Sequence, residues 1–466
     1  MTHQSRTSSV SPRRKAKAAP RSGFPVSPAQ YLCLARDADP DCRDDTRGRW
    51  VLANATLVQP GVDMRRLRRA LDMLVARHDC LRTRFQVIRG QFRAIIDPTG
   101  PAEILEIELG QMDDATFRSR ISEIANAPLP LMGQPLAELI VVHCTGRGDA
   151  VVWRAHHAIT DGFGMVVLFE DMLKLLLGMP LLSRPVTYPD YVSRFLTPPP
   201  ARAAKIETFW KEKHQNLPKA PDIGRKAKGL DPLWYNLGDV VGRRLRVSVS
   251  SDSMTELQDR AARGNLSFAS VMFAAFLETL CQLYDTDRLA FTTLIARSDP
   301  ALSTYAGAHY FDPVLPHQAA GPDGIDDAAR RLRADLMLAS DHLPSDAASQ
   351  ATDHEKALVG QGIYPRQFSV HQPRPTSRME KSVFSSGLHA APGVPQRLGP
   401  YVLTPLDVSI FRRCRSDLRF LLREGQAKPG FDLEYDGLSY TDGEITAMNT
   451  RICDLLNLDS ESAVSI

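Results

Sequence analysis

Two adjacent histidines, followed by an aspartate and a glycine, are the part of this chain best equipped for chemistry. Residues 153–162 read Trp-Arg-Ala-His-His-Ala-Ile-Thr-Asp-Gly, between a short apolar run and a longer apolar segment. Imidazole is the side chain that exchanges protons most readily near neutral pH. The carboxylate of Asp161 follows His157 by four positions, and Gly162 comes where the backbone must turn or closely approach a partner. The pattern indicates a site that moves protons or positions a substrate.

Hydrophobic periodicity predicts the elements that hold this site. Apolar runs at 137–143 and 150–155, separated by Thr-Gly-Arg-Gly-Asp, are typical of an antiparallel hairpin. Alternation along the second strand puts His157 on one face and His156 on the other. We therefore expect one imidazole to face a site and the other to pack behind it. The same divergence argues against a metal held by both rings. Residues 163–177 are predicted to form a buried helix.

A second amphipathic helix is predicted over residues 63–78, with apolar side chains at helical spacing. Its other side carries Arg65, Arg66, Arg68 and Arg69. Such a stripe is usually a solvated face, and it is also a candidate surface for an acidic carrier protein. Arg77, His78 and Arg82 follow at the helix end, where cations are favoured by the helix dipole, so we interpret them as structural.

Length and composition are typical of a globular protein with more than one core. The 466 residues are too many for one compact core and indicate two or three units. No apolar run approaches the roughly 20 residues that a membrane span needs. Residues 1–23 carry six cations and no acid, whereas the rest has 51 Lys+Arg against 54 Asp+Glu. We expect a disordered basic leader and a slightly acidic body that is a poor binder of nucleic acid.

Cysteine usage and the leader bear on the compartment. The seven cysteines are scattered, odd in number and never spaced as Cys-x-x-Cys, which is typical neither of a disulfide framework nor of a zinc site. We expect most of them to be small buried hydrophobes in a reducing compartment. The leader also lacks the apolar core of a signal peptide. We therefore expect a cytoplasmic protein, and we expect it to be a monomer.

Composition shifts divide the chain into an N-terminal lobe over 24–200 and a C-terminal lobe over 201–466. Residues 178–240 are rich in proline and charge and are interpreted as the connection between the lobes. Residues 366–400 contain five prolines and show no periodicity, which is typical of a long functional or mobile loop. Strands and helices alternate in both halves, so an α/β sandwich is predicted for each lobe.

In chain order, the motifs resemble those of the condensation-domain family of nonribosomal peptide synthesis, within the chloramphenicol-acetyltransferase-like superfamily. The central match is His-His-x-x-x-Asp-Gly at 156–162. The other matches are Ser-Pro-Ala-Gln at 27–30, Arg-His-Asp-Cys-Leu-Arg-Thr-Arg-Phe at 77–85, Tyr-Pro-Asp-Tyr at 188–191, Phe-Trp-Lys at 209–211, the segments 291–297 and 305–316, and the late strand at 431–435. Two departures, Ala296 in place of a glycine and the loss of an asparagine within 311–316, leave acceptor and donor specificity open.

The resemblance implies an α/β fold of two chloramphenicol-acetyltransferase-like lobes, a V-shaped pseudo-dimer with a tunnel between them and residues 366–400 crossing from lobe to lobe. It also implies that His157, at the middle of the tunnel, acts as a base or orients the nucleophile, while His156 supports it by packing or backbone hydrogen bonding. Asp161 is expected to pair with Arg297 and to shape the loop without transferring protons. Gly162 is expected to let the backbone approach the substrate, with an ordinary turn glycine as the alternative.

The activity implied is that of a freestanding condensation-type acyltransferase of secondary-metabolite biosynthesis. Such an enzyme joins a thioester-borne acyl or aminoacyl group to a small-molecule amine or alcohol, with no permanently bound cofactor. The donor rides on phosphopantetheine, either of an acyl or peptidyl carrier protein or of coenzyme A. The alternatives are a lipid or polyketide O-acyltransferase and a catalytically silent domain that recruits carrier proteins. The chain contains no Gly-x-Ser-x-Gly elbow for a covalent acyl-enzyme.

Overall fold

The computed structural model describes residues 23–38, 48, 50–98, 103–132, 135–181, 183–223, 242–296, 299–321, 324–344, 358, 360–364, 367–371, 395–408, 416–423 and 429–465. Nearly all of the expected basic leader, most of the expected crossover loop and Arg297 lie outside these residues.

Strands and helices alternate along the described chain. The strands are β1 (Phe24–Pro25), β2 (Val51–Gln59), β3 (Thr83–Ile88), β4 (Gln91–Ile96), β5 (Ile104–Leu109), β6 (Ala137–Cys144), β7 (Gly148–His156), β8 (Gly242–Val249), β9 (Arg288–Thr293), β10 (Ile295–Ala296), β11 (Tyr310–Phe311), β12 (Val314–Gln318), β13 (Phe368–His371), β14 (Gln396–Leu398), β15 (Tyr401–Leu406), β16 (Leu418–Arg423), β17 (Gly430–Asp436) and β18 (Ser460–Ser465). The helices are α1 (Pro28–Ala38), α2 (Met64–Arg77), α3 (Asp114–Ala125), α4 (Gly162–Leu176), α5 (Tyr188–Tyr191), α6 (Pro200–Gln215), α7 (Ser251–Arg263), α8 (Phe268–Leu283), α9 (Gly324–Asp341) and α10 (Asp442–Leu456).

The first large sheet has the strand order β14-β15-β2-β7-β6-β5 and is covered on both faces. The predicted hairpin is confirmed as the antiparallel pair β6–β7. Its alternation is confirmed as well: Trp153 and Ala155 face the core that contains α2 and α4, while Val152 faces α3. Each face of the hairpin therefore buries its own set of apolar side chains, and these side chains decide which helices pack on that face.

The second large sheet, of order β12-β9-β13-β16-β17-β8-β18, packs around α8. Helix α8 is apolar on nearly all sides, which is typical of a helix enclosed by other elements. Phe276 is fully buried against Phe420 of β16, with ring centroids 5.3 Å apart. Two cores, each with its own sheet, confirm the predicted α/β architecture of two lobes.

Two segments that follow residue 300 join the first lobe and correct the expected division of the chain. Strands β14 and β15 belong to the first sheet, where Leu406 pairs with Ala55 of β2. Residues 300–309 also contribute Leu302 and Tyr305 to the first core. The interval 201–466 is therefore not one lobe, and 366–400 is not a plain loop, because β13 and β14 lie within it. Backbone hydrogen bonds hold β14 and β15 in the first sheet, and such bonds need no alternation of side chains. The sequence pattern therefore gave no signal of this pairing.

In the described part of the chain, no single helix has both the length and the apolar character required to cross a bilayer. One pair of consecutive helices, Ser251–Arg263 and Phe268–Leu283, meets the criteria only when taken together, and the two are bent by 103°.

A buried carboxylate joins the end of α2 to α4. Asp171 of α4 accepts hydrogen bonds from Arg77 Nε at 2.8 Å and His78 Nε2 at 2.9 Å. Arg82 donates to the carbonyl of Val75 at 3.0 Å. The basic residues at this helix end thus act structurally, and they fix the helix that begins at the histidine loop.

We predict that Asp171→Asn lowers the free energy of unfolding by about 3 kcal/mol near neutral pH, because it leaves a buried cation without its carboxylate. Burial alone would raise the pKa of Asp171, but the hydrogen bonds from His78 and Arg77 hold it below 3.8. The stabilisation is therefore complete above pH 3.8 and is lost as the pH falls through the lower native pKa. Urea titrations at several pH values measure it.

Asp72→Asn, on the exposed side of α2, is the matched control and should leave stability unchanged. Equal unfolding free energies for the two variants at pH 7 would show that Asp171 does not hold α2 to α4.

Candidate active site

His157 lies in the turn directly after β7, one residue beyond the end of the strand. Its amide donates to the carbonyl of Trp50 at 2.7 Å, which extends the β2–β7 pairing into the turn. Its imidazole lies between two aromatic rings, with centroid distances of 5.7 Å to Trp50 and 4.7 Å to Tyr310. The residue is 8% exposed. Trp50 precedes β2 and Tyr310 begins β11, so the ring lies where the histidine loop meets the segment 300–311. We call this junction the seam.

His156 lies inside the first lobe and is completely buried. Its Nδ1 accepts a hydrogen bond from the amide of Ala158 at 3.0 Å. Burial, together with the nearby His157 and Arg36, lowers the pKa of His156 to about 3. A neutral ring that accepts from the turn backbone is suited to shaping the turn, and it has no route to solvent for proton exchange.

Asp161 caps α4 and connects it to the segment 300–311. Its Oδ1 accepts from the amide of Gly164 at 2.7 Å, which is the N-cap bond of α4. Its Oδ2 accepts from the amide of His309 at 2.8 Å. The described partners of this buried carboxylate are thus two backbone amides, one from each side of the seam. The expected partner Arg297 lies outside the described residues, so that pairing stays a prediction.

Close backbone contact at the seam depends on Gly164, not on Gly162. The hydroxyl of Thr160 donates to the carbonyl of Ala306 at 2.7 Å. A Cβ built on Gly164 would overlap that carbonyl oxygen and would lie 2.8 Å from its carbon. A Cβ on Gly162 would meet no atom within 4 Å. Gly162 thus borders open space at the helix start, and its approach to a substrate stays a prediction.

A cavity of ≈ 350 Å³ lies at the seam, on the side of Tyr310 and His309. Its wall includes Pro28, Tyr191, His309 and Tyr310. Tyr310 thus contacts the cavity and the ring of His157, while His309 joins the cavity to Asp161 through its backbone. Among the described residues, no three side chains of His, Cys, Asp or Glu are grouped in a way that could ligate a metal.

Sequence reasoning missed Gly164, His309 and Tyr310. A signal existed for Gly164, because a glycine inside an apolar helix costs about 1 kcal/mol relative to alanine and is retained where backbones must approach closely. His309 and Tyr310 reach the site through tertiary packing from more than a hundred residues away. The family resemblance includes both within the segment 305–316, but no local periodicity could have placed them at the site.

The family model described as "Condensation domain" matches residues 26–342. The chain is 23% identical over 449 residues to chondramide synthase cmdD of Chondromyces crocatus, which covers 92% of this chain and 11% of that protein. It is 27% identical over 222 residues to nonribosomal peptide synthetase ecdA of Aspergillus rugulosus. This match covers 46% of this chain and 3% of that protein. The chain therefore spans a small fraction of these curated relatives.

Solved structures share the fold over nearly the whole chain. SgcC5 from Streptomyces globisporus, in complex with (R)-(-)-1-(2-naphthyl)-1,2-ethanediol and sucrose, has a TM-score of 0.65 and 19% identity, covering 93% of this chain and 97% of that one. The first condensation domain of the calcium-dependent antibiotic synthetase, with substrate analogue 3a, has a TM-score of 0.66 and 15% identity, covering 94% and 99%. The X-domain in complex with OxyB from teicoplanin biosynthesis has a TM-score of 0.71 and 15% identity, covering 97% and 96%.

Fold and site together define a two-lobed α/β protein with a histidine loop at the seam. The chain belongs to the condensation-domain family. The family and the pseudo-dimeric, chloramphenicol-acetyltransferase-like architecture expected from the sequence are both confirmed.

We predict that Gly164→Ala lowers the free energy of unfolding by about 1–3 kcal/mol, because the added methyl group must displace the Ala306 carbonyl from the seam. Gly162→Ala is the matched control on the same helix and should be as stable as the parent protein, since its methyl group meets open space. Chemical denaturation of both variants measures the difference. Equal stability would mean that the segment 300–311 does not meet α4 at Gly164.

Proposed function

We propose that this protein is an acyltransferase that joins a thioester-borne acyl or aminoacyl group to an amine or alcohol. The observation that supports it most is the place of His157, at the end of a strand and in contact with Tyr310 from the opposite side of the seam. Membership of the condensation-domain family supports the same reaction class.

The proposed reaction needs one group that accepts a proton. The nucleophilic nitrogen or oxygen attacks the thioester carbonyl carbon, a C–N or C–O bond forms, and the C–S bond breaks. The proton lost by the nucleophile passes to His157 and then to the departing thiolate, so the histidine returns to its starting state. A positioned imidazole contributes roughly 10²- to 10⁴-fold to such a step. His156 and Asp161 hold the turn, and no covalent intermediate on the protein is required.

The donor is proposed to arrive on phosphopantetheine, carried by an acyl or peptidyl carrier protein or by coenzyme A. The exposed arginines of α2 support the first carrier, because they offer a cationic face to an acidic partner. These are Arg65, Arg66, Arg68 and Arg69, of which Arg68 pairs with Glu106. Reaction in the cytoplasm is also proposed. In support, the described cysteines are buried and form no disulfide with one another, and burial raises the pKa of Cys80 and Cys281 to about 12, which keeps these thiols unreactive.

A second candidate is a domain that binds a partner without catalysis. The similarity in fold to the X-domain, a protein solved in complex with OxyB, favours it. The presence of His157 in a turn that His156 and Asp161 both shape favours catalysis, since a pure docking domain has no need of this arrangement. A lipid or polyketide O-acyltransferase is the alternative within catalysis, and it differs only in the acceptor.

We predict that His157→Ala lowers acyl transfer by roughly 10²- to 10⁴-fold while the fold is retained. The assay presents one acyl group on a carrier protein and on coenzyme A, each with an amine and an alcohol of the same carbon skeleton. Product mass and rate then identify the donor and distinguish amide from ester formation. Circular dichroism and urea titration check the fold.

His143→Ala, on β6 of the same sheet but outside the site, is the matched control and should retain full turnover. Turnover of His157→Ala within a few fold of the parent protein would contradict the proposal. Carrier binding by the parent protein without transfer to any acceptor would favour the docking domain instead.

A further inference from the structure

The seam cavity, which Tyr310 separates from His157, has an aromatic wall. The rings of Tyr191, Phe195, Tyr310 and Phe311 line it together with the imidazole of His309. These side chains come from both sides of the seam, since Tyr191 and Phe195 precede α6 whereas residues 309–311 lead into and form β11.

Neighbouring rings hold this wall in place. Tyr191 stacks on Tyr305 with centroids 4.5 Å apart and planes 11° apart, and its hydroxyl is 2.9 Å from His309 Nδ1. Phe195 stacks on Tyr191 at 5.6 Å, and Phe311 meets Trp210 edge to face at 5.2 Å. Rings fixed in advance by such contacts lose little conformational entropy when a ligand binds. The wall is therefore preorganised to receive a planar group.

The cavity connects to the site through Tyr310. One part of this ring lines the cavity, and the same ring lies 4.7 Å from the imidazole of His157. The strand pairing of β10 with β11 fixes Tyr310, which lies opposite Ala296. A group seated in the cavity is thus separated from His157 by the width of one aromatic side chain.

The charges of the cavity favour a neutral ring over a cation. The guanidinium of Arg194 lies 5.5 Å from the centre of the Phe195 ring and within 3.7 Å of Asp299. Arg202 and Asp341 also line the cavity, so its cations and carboxylates balance. An aromatic cage for an ammonium group needs open ring faces without a competing cation. Here Arg194 already lies against one of the faces.

We propose that the seam cavity is a specificity pocket for a neutral aromatic ring carried by one of the two reactants. This inference rests on the proposed acyl transfer, because the ring is useful there only if the reactive end of the same molecule lies at His157. A volume of ≈ 350 Å³ is at the small end of ligand pockets, about 300–1,000 Å³, and suits a single ring with a short linker. The ring belongs either to the acceptor or to the acyl group.

Calorimetric titration with matched pairs of probes tests the proposal. The acceptor pair is 2-phenylethylamine and 2-cyclohexylethylamine, which share length and charge. The donor pair is the phenylacetyl and cyclohexylacetyl thioesters of N-acetylcysteamine. Contacts between aromatic rings should make the aromatic member of one pair bind about 2- to 12-fold more tightly, and that pair identifies the reactant. Phe195→Leu should remove the preference while leaving the affinity for the cyclohexyl probe within about twofold.

Phe92→Leu, on β4 and away from the cavity, is the matched control and should keep the preference. The titrations are repeated in His157→Ala, in which binding should persist although transfer is lost. Equal affinity within both pairs, no binding of either aromatic probe at millimolar concentration, or an unchanged preference in Phe195→Leu would overturn the pocket. A preference in a parent protein that transfers no acyl group would instead overturn the proposed function and leave the pocket standing.

Discussion

The carboxylate of Asp161 is the group on which the arrangement of the site depends. A buried carboxylate is stable only if donors replace its lost hydration, and here the described donors are the amides of Gly164 and His309. One belongs to the helix that begins after the histidine loop, and the other belongs to the segment that leads into β11. The same group therefore starts α4 and fixes the seam. Thr160 and Ala306 add a second bond beside it, and Gly164 lets the two backbones come close enough to form both.

The different environments of His156 and His157 follow from these contacts. The strand ends at His156, whose ring is enclosed and accepts from the turn backbone, so it serves as part of the scaffold. One residue later the chain turns, and the next imidazole lies against Tyr310, which the opposite side of the seam supplies. Adjacent residues with the same side chain thus lie in different environments, because one is sealed inside a lobe and the other lies at its boundary. The aromatic cavity begins at that boundary, so Tyr310 of β11 contacts both the proposed specificity pocket and the ring of His157.

Local pattern predicted much of the fold. The helix expected over 63–78 is observed as Met64–Arg77, and the last helix, expected around 442–456, has those bounds. The prolines of 178–240 predict a connection between lobes, whereas α6 forms within this stretch, because Pro200 takes the first helical position, which tolerates it. The crossing of β14 and β15 to the first sheet, and the arrival of residues 300–311 at the site, depend on contacts between distant segments. Family resemblance predicted such a crossover, but no periodicity in this chain could assign its partner strand.

The most direct test of the role of Asp161 is the free energy of unfolding of Asp161→Asn, measured by urea titration together with its turnover. Asparagine caps a helix as well as aspartate does, so the bond to Gly164 is kept, whereas its amide nitrogen cannot accept from the amide of His309. We predict a loss of about 1–3 kcal/mol, the cost of one unsatisfied buried amide, accompanied by reduced turnover. A variant that is as stable as the parent protein but inactive would contradict the account and would indicate that the carboxylate itself takes part in the chemistry.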